Sequence, residues 1–464
     1  MEVNDLNKIK RVYMIGIGGI GMSALARFFM KQGKAVSGYD RVSTRLTDEL
    51  IREGSQIRFT TDLPYIKENY PNSEDLLIIY TPAIPYEHLE MEFFRKGGYR
   101  MVKRAEMLGI LTEGEKCIAV AGTHGKTTVS TMMAHLLITA GLDCNAFLGG
   151  ISRNYGTNAI FSKNKGLFVL EADEFDRSFL NLHPDMAVIT SCDPDHLDVY
   201  GTGVKMQNTY CQFISQIPDG GTLVHRVPLE LECLDQGRLD IRTYSAGIEA
   251  DFSAINIRFQ KDHYCFDVET PSGVLKDVHL GIPGRINVEN ALSVIGISRK
   301  LGLDDEILKK ALRSFTGVAR RFDVRISRED LIYIDDYAHH PKELDACIQS
   351  VRDMYPGRKI TGIFQPHLFS RTRDFAVEFA ESLQQLDELI LLDIYPAREK
   401  PMKGISSKII FDRVRMEQKM MITRERLIMV MAEKKPEILL TLGAGDIEEF
   451  VSPLENLYRK EDKS

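Results

Sequence analysis

Residues 11–33 read RVYMIGIGGIGMSALARFFMKQG, and the order of residue types in this stretch decides how the fold begins. Arg11-Val-Tyr-Met-Ile15 is a short apolar run that ends directly in glycines. MSALARFFMKQG then continues with apolar residues at helical spacing as far as Gly33, a natural helix stop. The pattern predicts strand, tight turn, helix. Gly16, Gly18 and Gly21 satisfy G-x-G-x-x-G, with Gly19, Met22 and Ser23 beside them, and a second strand from Ala35 to Tyr39 ends in Asp40. Glycine lets the main chain approach a diphosphate at a helix N-terminus, where free N–H groups and the helix dipole attract negative charge. That physics names no particular ligand. NAD(P), FAD, another nucleoside diphosphate or a purely structural turn would all satisfy it.

Outward from this turn the same alternation recurs. Leu76 to Tyr80 is a further strand of the first sheet. A second unit opens at Lys116-Cys-Ile-Ala-Val-Ala121, turns on glycine and enters the helical VSTMMAHLLITAG, with buried strands at Gly166 to Leu170 and Met186 to Thr190. Between about 222 and 284 the texture changes to short alternating runs such as AINIRFQ and HYCFDVE, which predict antiparallel strands added to the edge of the middle domain. A third α/β unit carries Leu331 to Ile334, ITGIF, ELILLDIY and EILLTLGAG, without a phosphate loop. The expectation is an α/β chain of three domains: 1–110, Rossmann-like; 111–318, a P-loop-type ATPase domain with a parallel sheet and a small antiparallel one; and 319–464, Rossmann-like.

The second glycine loop is Ala121-Gly-Thr-His-Gly-Lys-Thr-Thr128. A strict Walker A motif needs a glycine where Val120 stands, but the working parts are present. Main-chain N–H groups from Gly122 through Thr123, His124 and Gly125 to Lys126 can cradle phosphate, Lys126 brings a point charge, and Thr127, followed by Thr128, offers a hydroxyl to Mg²⁺ (or Mn²⁺). Such a cation needs further hard ligands. Two acidic clusters, Glu171-Ala-Asp-Glu174 and Asp193-Pro-Asp-His-Leu-Asp198, follow predicted parallel strands on the loop's side of the sheet, which makes Glu171 and His196 candidate metal ligands.

Composition narrows the class. The 464 residues are 44% hydrophobic and 27% charged, as in ordinary globular proteins, and the net charge of -7 argues against a dedicated nucleic-acid partner. No apolar run reaches the roughly 18 to 20 residues that span a bilayer, so neither membrane insertion nor a signal peptide is expected and a cytoplasmic protein is the simplest reading. The seven cysteines are odd in number and scattered, with no C-x-x-C pair, so buried free thiols are expected rather than disulfides or a zinc site.

With these motifs in order, the chain resembles the Mur ligases of peptidoglycan synthesis over nearly its whole length. The likeness rests on GIGGIGMS, VKRAEMLG at 102–109, AGTHGKTT, EADEFD at 171–176, DPDHLD at 193–198, GRINVENAL at 284–292, FTGVARRFD at 315–323, DDYAHHPKE at 335–343, FQPHLFSRTRDF at 364–375, YPAREKPMKGIS at 395–406 and GAGD at 443–446. The resemblance implies a first domain that holds a UDP-sugar, a middle domain that holds ATP and a last domain that helps bind an amino acid. The implied substrates are UDP-N-acetylmuramate and L-alanine, with a monomer or homodimer expected. It also implies that Lys126 and Thr127 serve the γ-phosphate and the metal, that Glu171 and His196 ligate metal, and that Asn287, Asn290 and Arg321 contact the nucleotide. Tyr337, His339 and Arg371 would receive L-alanine, with Arg371 against its carboxylate. Since the second loop takes ATP, the first, Gly16 to Ser23 with Asp40, is left for the UDP.

The implied chemistry explains the parts. A carboxylate is a poor electrophile, so it would first accept the γ-phosphoryl group as an acyl phosphate, which the amine then attacks. His196 and His339 are the candidates for taking the amine's proton. Family members with a carbamylated lysine carry it about 15 residues after the histidine, where Cys211 stands here, so that modification is not expected. SQIRFTTD after Gly54 replaces a Gly-His pair frequent in the family, and Ser191-Cys192 replaces an Asn-containing pair. Two other readings compete: a murein-tripeptide recycling ligase, which adds a peptide instead of L-alanine, and a nicotinamide-dependent oxidoreductase, which would leave Lys126, the acidic clusters and the third domain without work.

Overall fold

A computed structural model of the protein describes residues 6–162, 166–193, 200–234, 237–260, 263–397 and 399–460. Three sheets organise them. The first is wholly parallel, β3-β2-β1-β4-β5, from β1 (Arg11–Ile15), β2 (Ala35–Tyr39), β3 (Gln56–Arg58), β4 (Leu76–Tyr80) and β5 (Met101–Lys103). Side chains alternate across a strand, so Val12 and Met14 of β1 enter one apolar cluster while Tyr13 and Ile15 enter another on the opposite face. The helix Ile20–Lys31 covers the first of these faces with Met22, Leu25, Ala26 and Phe29, and the chain leaves it through Gly33 at φ +73°.

The second sheet has ten strands, ordered β15-β14-β13-β12-β11-β10-β6-β9-β7-β8. They are β6 (Cys117–Ala121), β7 (Cys144–Phe147), β8 (Ala159–Ile160), β9 (Leu167–Glu171), β10 (Met186–Ile189), β11 (Thr222–Arg226), β12 (Asp240–Ser245), β13 (Phe252–Gln260), β14 (His263–Thr270) and β15 (Gly273–Leu280). The strands expected after residue 222 are present, but continuous with the central sheet: β11, β12 and β13 still pair in parallel. Only beyond them does the chain double back, since the two-residue link from β14 to β15 can join antiparallel strands alone. The third sheet is β16-β17-β21-β18-β19-β20, from β16 (Asp323–Ser327), β17 (Ile332–Asp336), β18 (Ile360–Phe364), β19 (Glu388–Leu391), β20 (Lys419–Met421) and β21 (Ile438–Leu442). It is parallel except at β16.

By internal packing the chain forms two compact units. One comprises Met1–Arg258, Cys265–Gly281 and Val288–Thr316, the other Phe259–Tyr264, Ile282–Asn287 and Gly317–Ser464. Apart from the adjoining ends of β13 and β14, the first two sheets lie in the first unit and share a core, in which Phe28 of the first helix meets Phe147 and Phe161 at ring distances of 5.7 and 5.2 Å. The second unit has its own core around Tyr333, Ile363, Ile390 and Leu439.

One expectation fails. Cys211, on the helix Gly203–Ser215, and Cys233, on the short turn Glu232–Leu234, form a disulfide with Cα atoms 5.6 Å apart. Scattered spacing conceals this pair because the helix and the turn are brought side by side only by folding. The other five cysteines are free, four of them buried, as the composition suggests. Among the described residues no helix is long and apolar enough to cross a membrane.

Candidate active site

In the second sheet β6 lies between β9 and β10, all three parallel, so the loop after β6 emerges between the ends of its two neighbours. Gly122 turns there at φ +129°, and a Cβ on it would lie 2.1 Å from Thr190 Oγ1. Gly125 adopts φ +84°, and a Cβ there would lie 2.7 Å from Asn290 Oδ1. Both positions therefore demand glycine, by backbone conformation and by space. Thr123 Oγ1 donates to the Asp193 carbonyl at 2.8 Å, and the His124 N–H donates to Ser191 Oγ at 3.1 Å. These bonds moor the loop to the segment after β10. The helix Lys126–Thr139 starts directly beyond, which aims its free N–H groups at the loop's concavity.

Lys126 Nζ donates to the Gly122 carbonyl at 2.6 Å and lies 2.9 and 2.8 Å from the two carboxylate oxygens of Glu174. Burial disfavours its charge, yet the carboxylates of Glu174, Glu171 and Asp173 outweigh burial and raise the lysine's pKa, so it stays an ammonium. Glu174 is itself shifted upward by burial, against the pull of Lys126. Thr127 Oγ1 donates to Glu171 Oε1 at 3.1 Å, and the other Glu171 oxygen accepts the Gly149 N–H at 3.0 Å. A Cβ on Gly149 would come within 2.2 Å of that oxygen, so a glycine is what lets the carboxylate sit here. A hydroxyl and a carboxylate of hard oxygen donors beside a phosphate loop suit Mg²⁺, and these residues fit it. His196, the other candidate ligand, lies outside the described residues. Thr128 is buried in the same helical turn.

The first glycine loop belongs to the same unit. Gly16 has φ +83°, Gly19 caps the helix Ile20–Lys31, and the Gly18 N–H donates to Asp40 Oδ2 at 2.7 Å. Asp40 thus shapes the turn from the end of the neighbouring strand. Met22 and Ser23 point inward: both are buried, Met22 in the core, and Ser23 accepts from Asn158 Nδ2 at 2.9 Å. Of this stretch Gly18, Gly19, Ile20 and Gly21 keep surface. A Cβ on Gly21 would lie 2.2 Å from Arg104 Nη1, and the Arg104 guanidinium reaches Asp173 Oδ2 at 3.2 Å. Arg104 therefore spans from the first loop to the acidic segment that carries Glu171 and Glu174. Arg104, Glu174, Gly149 and Asn158 escaped the sequence reading. The first two stand inside motifs it quoted, whereas Gly149 and Asn158 carry no local signal.

In the second unit Tyr337, His339 and Arg321 gather after β17. The Arg321 guanidinium sits 4.7 Å from the centre of the Tyr337 ring, and the His339 ring packs 5.3 Å from that ring and 5.8 Å from His367. His339 Nδ1 lies 3.0 Å from the Tyr337 carbonyl and 3.2 Å from Glu343 Oε2. His367 stacks on Tyr395 at 5.8 Å, which extends the cluster by two residues that the sequence did not single out. Arg371 is buried on the short helix Phe369–Asp374. Asn287 donates to the Pro283 carbonyl at 2.6 Å, and so secures the start of the helix Arg285–Lys300. Asn290, further along that helix, is the asparagine that faces the phosphate loop.

Comparison with known proteins agrees with this arrangement. Three family models match in order: "Mur ligase family, catalytic domain" over residues 11–116, "Mur ligase middle domain" over 120–298 and "Mur ligase, glutamate ligase domain" over 320–445. The chain is similar to a UDP-N-acetylmuramate--L-alanine ligase of Parabacteroides distasonis, 48% identical over 98% of this chain and 99% of that protein. It is likewise 48% identical to the protein of that name from Porphyromonas gingivalis W83, over 96% of this chain and 98% of the relative. Among solved structures, a UDP-N-acetylmuramate-alanine ligase of Thermotoga maritima superposes with a TM-score of 0.83 at 26% identity, covering 97% of this chain and 99% of that one. A murein peptide ligase of Psychrobacter arcticus shares the fold, with a TM-score of 0.70 at 21% identity over 97% and 98% of the two chains. Matched along its length by all three family models, and carrying the two glycine loops in one unit, the chain belongs to the Mur ligase family.

Proposed function

We propose that this chain joins L-alanine to the lactyl carboxylate of UDP-N-acetylmuramate with hydrolysis of ATP to ADP and phosphate. The observation that carries the reading is the pairing of Lys126 and the Thr127–Glu171 couple on one glycine loop with a second glycine loop linked to it through Arg104 and Asp173. One loop suits the triphosphate and the other the UDP. The L-alanine relatives, at 48% identity over nearly the whole chain, favour this amino acid over the tripeptide of the recycling ligases.

The residues divide the work. Main-chain N–H groups of the loop 122–126 hold the phosphates, and Lys126 offsets charge on the γ-phosphoryl group as it passes to the lactyl carboxylate. Thr127 and Glu171, with His196, would hold Mg²⁺, whose chemistry is to neutralise phosphate oxygens. Gly16 to Gly21 and Arg104 hold the UDP-sugar. Tyr337, His339, Arg321 and Arg371 serve the amino acid and nucleotide from the last domain, with His339 placed to take a proton from the amine. The reading takes the domains as 1–110, 111–318 and 319–464 and the enzyme as cytoplasmic, a monomer or homodimer.

The test is phosphate release with UDP-N-acetylmuramate and ATP fixed and either L-alanine or the tripeptide supplied. Faster turnover with the tripeptide would reverse the assignment, and tight NAD(P)H binding without UDP-sugar binding would overturn the ligase reading altogether. Lys126→Ala is expected to abolish ligation while leaving UDP-sugar affinity nearly unchanged, as calorimetry would register.

A further inference from the structure

Glu174 has no role in the chemistry above, yet among the described residues it is the most deeply buried carboxylate near the phosphate loop, with a side chain only 1% exposed. Its two oxygens lie 2.9 and 2.8 Å from Lys126 Nζ, and the second has no well-directed hydrogen bond of its own. Its backbone carbonyl is held in place by the Tyr200 hydroxyl. An ammonium has three protons to give. Here the Gly122 carbonyl takes one at 2.6 Å, the Thr123 carbonyl lies at 3.4 Å, and Glu174 claims the remainder. The two carbonyls are neutral main-chain groups of the loop, whereas Glu174 is, among the described residues, the charged partner of the ammonium. A phosphate that engages Lys126 therefore competes with Glu174 for its protons.

We propose that Glu174 is a positioning residue that competes with the nucleotide's phosphates for Lys126. The proposal rests on the assignment of this loop to ATP. When no phosphate is present, Glu174 holds the ammonium against the loop and prevents it from turning away. When the nucleotide binds, the carboxylate loses its counter-ion in a place that water does not reach, and that loss subtracts from nucleotide affinity. Once the γ-phosphoryl group has left, ADP draws on the lysine less strongly and the Glu174 pair re-forms, which favours release of ADP. The residue thus weakens binding and quickens turnover together, whereas a purely structural residue would do neither.

The experiment measures the affinity of the full chain with Mg²⁺ for ADP and for a non-hydrolysable ATP analogue by calorimetry, alongside steady-state kinetics. Glu174→Gln keeps the shape and removes the charge. It is expected to bind both nucleotides about tenfold more tightly, with a lower KM for ATP and a lower kcat. Glu174→Asp, which draws the charge back by one methylene, is expected to fall between, and it carries the test should the glutamine variant not fold. In a Lys126→Ala background Glu174→Gln is expected to leave nucleotide affinity unchanged. Equal or weaker binding by Glu174→Gln, or the same tightening without Lys126, would overturn the proposal while leaving the ATP assignment intact. Failure of the wild-type protein to bind either nucleotide would overturn both.

Discussion

At the scale of single residues, two buried positions carry consequences that burial alone does not suggest. Glu90 is 1% exposed and accepts a hydrogen bond from the Tyr13 hydroxyl at 2.9 Å. Burial pushes its carboxyl up to about 7, against smaller opposing effects of that hydrogen bond and of Arg58. The folded protein thus holds this proton more tightly than the unfolded chain does. The associated stability is complete below the ordinary glutamate pKa and is lost as pH rises through about 7. Glu90→Gln, which can still accept from Tyr13, is expected to stabilise the protein at pH 8 by up to about 3 kcal/mol and to be nearly neutral at pH 4.5, as denaturant melts at the two pH values would register. Gly122 is the second position. Alanine there would have to adopt φ +129° with its methyl 2.1 Å from Thr190 Oγ1. Gly122→Ala should cost about 3 kcal/mol of stability and abolish nucleotide binding, measured by melting and by calorimetry. The need for glycine at this turn was legible in the sequence, but Glu90 was not. It stands in an amphipathic stretch where a charge reads as solvated, and only the packing of the helix Leu89–Lys96, whose Met91 and Phe94 join Tyr13 and Ile15 of β1 and Leu76 and Ile78 of β4, buries it.

At the scale of elements, the strand-turn-helix units were readable because their signals are local: an apolar run, glycines, then helical spacing. The connections between units were not readable, because they run between side chains far apart in the chain. The helix Arg104–Thr112 illustrates this. Its sequence, VKRAEMLG, counts at the sequence level only as part of the family likeness, yet its first residue lies against Gly21 and reaches Asp173, 69 positions on. Asn158 likewise holds the start of the helix Ile20–Lys31 through Ser23, from 135 residues away. Arg104→Ala is expected to raise the KM for the UDP-sugar about tenfold and to leave nucleotide affinity unchanged. An increase in the KM for ATP of the same size would show instead that the arginine serves the ATP loop through Asp173.

At the scale of the whole molecule, the Cys211–Cys233 disulfide closes a loop of 22 residues inside the first unit. Crosslinks of that length contribute about 3 kcal/mol by restricting the unfolded chain. Melting under reducing conditions is therefore expected several degrees below melting without reductant, and Cys211→Ser should remove the difference. The sequence by itself determined the α/β class, the strand-turn-helix units and the two glycine loops, since each depends on periodicity or on conformations that glycine alone tolerates nearby in the chain. It also carried enough ordered motifs for the family to be legible in advance. The tertiary structure alone decided that β11, β12 and β13 extend the central sheet in parallel, that two scattered cysteines pair, that Met22 and Ser23 turn inward, and that Arg104 and Glu174 stand beside the loops. Each of these depends on which distant groups share a buried space, and burial, which sets the strength of an ion pair and the protonation of a carboxylate, exists only once the chain has folded.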